Sequence, residues 1–202
     1  MIAVVTGDIV NSERIGPEKW MPSLEKYFLQ LGKSPMVWEI YRGDEFQLIT
    51  TPEKALEVAL TIKALVKKIP ELDVRIAIGL GEQEFKGKGV SDSNGSAYRR
   101  SGRTLMGLKE NGVNLGIGIG NNQENTFNLL FKLALDFMDS WSVVSAEIVF
   151  ITLQNPDTKQ REIARKLNIQ QSAVSQRKKR ARLHLVQELL DYYKETTKNM
   201  AP

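Results

Sequence analysis

The chain has no cysteine and a single histidine, His184. That excludes disulfide frameworks, thiolate zinc sites, cysteine nucleophiles and paired-histidine metal sites within it, so any metal has to be held by oxygen. Long apolar runs are missing too: none approaches the roughly 18 residues of a membrane span. The amino terminus lacks the charged region, apolar stretch and cleavage site of a secretion signal, and a cytoplasmic location is expected. Acidic residues are scarce in one place. Between Lys159 and Arg182 there are nine Lys and Arg and one acid, Glu162.

What is present is ordinary globular material. The 202 residues are 42% hydrophobic and 26% charged, enough for a medium domain and a small one. The net charge of +4 is unevenly spread, because from Asp157 onward there are eleven basic residues against five acids, leaving 17 basic and 19 acidic before it. The basic character belongs to the tail, where it is the electrostatic footprint expected for phosphate contact.

Ile2 to Val5 form a short apolar run ending in Thr6-Gly7-Asp8, which predicts a buried strand with a polar tip. A helix follows, with Pro17 near its start, Trp20, Leu24, Tyr27, Phe28 and Leu31 on one face, and Gly32 at its end. Met36 to Tyr41 and Phe46 to Ile49 predict two strands of a hairpin joined at Arg42-Gly43-Asp44-Glu45. A helix carrying Leu56, Ala59, Ile62 and Val66 comes next, then a strand over Asp73 to Leu80. A Gly, Ser and Lys loop leads to a helix through Ala97, Leu105 and Leu108 and a strand over Val113 to Ile119. The order β-α-β-β-α-β-α-β predicts an α+β class, one mixed sheet with packed helices in a ferredoxin-like or palm arrangement.

Residues 1–122 are expected to form this domain and 123–141 a connector. Phe127 to Trp141 is apolar on nearly every side, which predicts a buried helix and a dimer contact. Residues 142–202 are expected to be all helical. Asp157 or Thr158 is placed to cap a helix containing Ile163, Ala164 and Leu167, with a turn at Asn168-Ile169 and a following helix from Gln171. Ile163 and Leu167 share a face, Ala164 permits close approach, and Ile169 and Val174 plug the space between the two helices, as a helix-turn-helix requires.

At the start of that second helix stand Gln170, Gln171, Ser172, Ser175 and Gln176, amides and hydroxyls able to pair with base edges. Arg177, Lys178, Lys179, Arg180 and Arg182 follow as phosphate partners, and Thr158, at the start of the preceding helix, is also expected to contact DNA. The stretch Gln160 to Arg182 resembles the helix-turn-helix of bacterial regulators and of sigma-factor tails. Double-stranded DNA is the expected partner, and the alternative is a helical hairpin with a solvated charged face. Leu185, Val186, Leu189, Leu190 and Tyr193 extend the pattern into an apolar seam, so the recognition helix is expected to run on. A long seam wants a partner, which predicts a homodimer with two recognition helices about one DNA turn, roughly 34 Å, apart.

Asp8 and Asp44 stand at strand tips, where carboxylates brought together across a sheet suit Mg²⁺ or Mn²⁺; the alternative is that both cap nearby turns. Ala3 to Ser12, Arg42 to Gln47, Val74 to Gly81 and Asn94 to Tyr98 resemble the ordered motifs of the SatD family over residues 1–120. That family in turn is similar to class III nucleotidyl cyclase and GGDEF palm domains. The resemblance implies Asp8 and Asp44 as metal ligands, and Ile9, Asn11 and Ser12 beside a triphosphate, with Arg99 and Arg103 as further nucleotide-binding candidates. The spacing of Asn94, Arg99, Arg100 and Arg103 departs from the cyclase pattern, and no catalytic residue is assigned. The functional expectation is a DNA-binding transcriptional regulator whose palm-like domain senses a nucleotide or metal; the alternative is a metal-dependent nucleotidyl cyclase or nucleotidyltransferase with a regulatory helix-turn-helix.

Overall fold

A computed structural model describes residues 1–200. The eight expected elements of the amino-terminal part occur in the expected order: β1 (Ile2–Val10), α1 (Met21–Leu31), β2 (Trp38–Tyr41), β3 (Glu45–Thr50), α2 (Ala55–Val66), β4 (Asp73–Gly81), α3 (Ser96–Asn111) and β5 (Leu115–Gly118). They build an α+β unit around a mixed five-stranded sheet of order β2-β3-β1-β4-β5. Each neighbouring pair among β2, β3, β1 and β4 is antiparallel, and β5 joins β4 in parallel.

Register divides the sheet residues between two faces, because side chains alternate along each strand. Ala3, Val5 and Ile9 of β1 share a face with Phe46, Leu48, Ile76 and Ile78, and all join the main core with α1 and α2. Val4, Thr6 and Asp8 lie on the opposite face, which α3 covers through Ala97, Tyr98 and Ser101. Small residues let α3 lie close: a Cβ on Gly118 would stand 2.8 Å from Thr104 Oγ1, and one on Gly79 would collide with the α3 backbone. The alternating glycines of β5 thus mark close backbone packing.

The carboxy-terminal part is helix-rich: α4 (Gln123–Met138), α5 (Val143–Gln154), α6 (Gln160–Leu167), α7 (Gln171–Arg180) and α8 (Leu183–Lys198). α4 covers the outer edge of β5. Asn128 accepts from Ile117 N and donates to Ile117 O, both at 2.9 Å, while Glu124 accepts from Ile119 N and Gly120 N. The unpaired backbone of an edge strand is thereby satisfied by helix side chains.

Two expectations for these helices need correction. α4 is not buried all round: Phe127, Phe131 and Met138 are, but Leu129 is 59% exposed and Leu133 63%. Nor does the helix from Gln171 run on into the seam. It stops at Arg180, and Arg182 takes a left-handed conformation, φ 50°, before α8 starts in a new direction. Trp141 Nε1 donates to Ala181 O at 3.0 Å, occupying a carbonyl that a continuous helix would use itself.

Candidate nucleic-acid interface

α6 and α7 are short and polar, and each buries only a thin underside. Ile163 and Ala164 of α6 meet Val174 of α7, with Leu167 and Ile169 packed at the margin. The joint is set by Asn168, whose left-handed φ of 52° ends α6, and by Ile169 N, which donates to Ala164 O at 3.0 Å. Asn tolerates that conformation better than most residues. The cap of α6 is Lys159 and not Asp157 or Thr158; Thr158 instead sits half-buried in the preceding turn, its N–H on Asn155 O.

The residues expected to read bases do share one exposed end. Gln170, Gln171, Ser172, Ser175 and Gln176 are all exposed, and no side chain caps the start of α7. Arg161 of α6 donates to the Gln171 side-chain oxygen at 3.3 Å, which leaves the NH₂ group of that amide free to donate. The sequence does not disclose this pairing, although Arg161 lies within the basic stretch.

The expected phosphate partners divide into two groups. Lys179 and Arg180 are exposed on α7, as are Arg161, Arg165 and Lys166 on α6. Arg177 instead pairs with Glu147 of α5 at 3.0 Å and fastens α7 to the body. Lys178 is half-buried, and burial lowers its ammonium pKa. Arg182 lies with its guanidinium 5.5 Å from the Phe137 ring centre.

The two carboxylates lie at one end of the sheet, near the carboxy-terminal end of α3, but Asp8 is not at a strand tip: β1 runs on to Val10, and Asp44 lies in the turn between β2 and β3. Asp8 faces Arg75 across the β1–β4 ladder, and the guanidinium donates to Asp8 Oδ2 at 2.9 Å. Lys109 of α3 stands 3.8 Å from the same oxygen and 3.0 Å from Glu45. Ser12 donates to Asp44 Oδ2 at 2.6 Å, and Ile9 N donates to Asp44 O at 3.1 Å, so Asp44 holds the hairpin against the end of β1. The Ile9 side chain is in the core; Asn11, with φ 64°, donates to Glu71 O at 2.9 Å. Arg99 is not brought here. It forms a two-pronged pair with Glu84 beyond the other end of β4, and Arg103 is exposed on α3.

No protein-family model matches the chain, and no curated protein matches it.

Oδ1 of Asp8 and Nε of Arg75 are buried without hydrogen-bond partners. Burial raises the Asp8 pKa; Arg75 and Lys109 pull it back, and Asp44 and Glu45 push it up further. Among the described residues no three acidic or histidine side chains are grouped to hold a metal ion. As arranged, the residues do not fit Mg²⁺ or Mn²⁺ between Asp8 and Asp44. One oxygen of Asp8 is held by the guanidinium, the other is sealed from solvent, and Asp44 is engaged by Ser12. The positive charge an ion would bring is already supplied by Arg75 and Lys109. Sequence reasoning finds both aspartates but neither cation; the one signal is a lone Arg inside the apolar run Val74 to Leu80.

Proposed function

We propose that the chain is a double-stranded-DNA-binding regulator in which α6 and α7 act as a helix-turn-helix and α7 enters the major groove. The observation that carries this reading is the exposed amide and hydroxyl group at the start of α7, standing on the buried contact of Val174 with Ile163 and Ala164. Side chains of this type pair with base edges, and a rigid underside holds them in register. Lys179, Arg180, Arg165 and Lys166 flank them as phosphate partners. Arg177 is assigned to packing within the chain.

The sheet unit is proposed as a relative of the ferredoxin-like palm, with support from two sources: its β2-β3-β1-β4 antiparallel order and the resemblance of its motifs to the SatD family. Its role here is a platform for the helices. Metal-dependent nucleotide turnover is not proposed, because Arg75 and Lys109 already compensate the charge of Asp8.

The test is fluorescence anisotropy on a duplex selected from a random library, beside a scrambled duplex. Lys179→Ala is expected to weaken binding to both and to lower the log–log salt slope by about one, as removal of a phosphate partner does. Gln171→Ala and Ser175→Ala are expected to bring the two duplexes closer in affinity, by roughly 1–3 kcal/mol for each base edge that is no longer read. Equal affinity for the two duplexes in the unmodified protein would defeat the reading.

A further inference from the structure

α4 and α8 lie side by side and antiparallel. Phe127 near the start of α4 has its ring centre 5.1 Å from that of Tyr193, late in α8, while Phe137 near the end of α4 meets Arg182 just before α8 begins. Their outer surfaces enclose an open groove of about 530 Å³ lined by Leu130, Leu133, Phe137, Leu185, Leu189 and Tyr192. Leu133 is 63% exposed and Leu129, one turn before it, 59%. Large aliphatic side chains adjoining one another on a free surface mark an interaction site more than scattered ones do.

Two charged residues also line the groove, Arg182 and Glu188. They stand three positions to either side of Leu185, Arg182 just before the first residue of α8 and Glu188 within it, and no ion pair joins them among the described residues. A two-fold axis passing beside Leu185 would invert α8 onto itself. Arg182 of one copy would then meet Glu188 of the other, and the same contact would form a second time. An interface between identical copies has to be self-complementary in this way. We propose that the α4–α8 face is the surface on which two copies of this chain associate, their four helices packed as a bundle around the Leu185 axis. A small apolar ligand would use the leucines but neither charge.

The consequence for DNA rests on the reading given under Proposed function: α7 ends two residues before Arg182, so the association would bring both α7 helices to the same axis.

Sedimentation equilibrium of the full chain without DNA tests the interface. The unmodified protein is expected to dimerise and Leu133→Glu to be monomeric. Arg182→Glu and Glu188→Arg each place like charges together twice, and each is expected to raise the dimer dissociation constant about 10-fold or more. Mixed in equal amounts, these two variants should regain the dimer, because every contact in the mixed pair is then between opposite charges. The contact of Arg182 with Phe137 within one chain could not give that rescue. Far-UV circular dichroism checks folding, and if a single variant is unfolded, the double variant Arg182→Glu/Glu188→Arg should dimerise like the original. A protein that is monomeric at all concentrations overturns the proposal, as does a dimer indifferent to Leu133→Glu or a mixture that fails to reassociate. Failure of the DNA reading would look different: an intact dimer with no duplex preference.

Discussion

Asp8 has an environment unlike that of a surface carboxylate: its side chain is 13% exposed and pairs with Arg75. Burial raises its pKa above the ordinary 3.8, with the nearby Arg75 guanidinium as the largest opposing influence. The native state therefore holds this proton more tightly than the unfolded chain does. Its contribution to stability is full below the ordinary value and disappears as pH rises through the folded value. Arg75→Ala is expected to raise the Asp8 pKa further, as read from its carboxyl carbon by NMR. The stability gap between Arg75→Ala and the unmodified protein should accordingly widen from acid to neutral pH. A fall in the Asp8 pKa on removing Arg75 would show that the guanidinium is not what holds it down. At this scale the sequence reveals the acids, because Gly-Asp at the end of an apolar run is a local pattern. It conceals their partners. Arg75 is 67 positions from Asp8 and reaches it only through the β1–β4 register, while Arg99 stands near the opposite end of α3 from Lys109.

Among the elements, α6 and α7 are legible in the sequence because apolar residues at helical spacing flank an Asn, a residue that tolerates the left-handed backbone. Asn168→Val should cost about 1–2 kcal/mol in urea unfolding, since a β-branched side chain is strained at positive φ, while Asn168→Gly should be tolerated. Equal unfolding midpoints for the two variants would mean that the turn at φ 52° does not constrain the fold. The end of α7 is not legible. Lys178 to Leu183 contains neither Gly nor Pro, and its intrinsic preference is to continue as helix. Packing overrides that preference: Ala181 and Leu183 are both buried, and the indole of Trp141, 40 positions earlier, takes the Ala181 carbonyl. α4 illustrates the same limit. Its apolar composition is plain in the sequence, but which of its faces the rest of the chain leaves open depends on where α8 docks.

Across the whole molecule one apolar core runs from β1 through α4, α5 and α7 to Tyr193 of α8. Tyr193 is fully buried against Phe127 and Phe131, so the last helix is packed onto the same helix that covers the sheet edge. A second tie is ionic. Lys63 of α2 is 1% exposed, and its ammonium donates to Asp73 at 2.7 Å and to Asp139 at 2.6 Å, linking α2 to the start of β4 and to the end of α4. Lys67 and Asn114 complete the cluster around the same two acids. In the sequence Lys63 is one more lysine in an apolar helix, because its acids lie 10 and 76 positions away. Removing one member of a buried ionic group leaves the others uncompensated, so Lys63→Met is expected to destabilise the protein by about 3–5 kcal/mol, less whatever Lys67 recovers at Asp73. Because the core is continuous, that destabilisation should reach regions far from Lys63. Amide hydrogen exchange near the unfolding midpoint should show β4 and α8 losing protection together, in one cooperative step. Exchange that accelerates in α2 and β4 while α8 keeps its protection would show that the helical region holds together independently of the sheet, in spite of the packing of Tyr193.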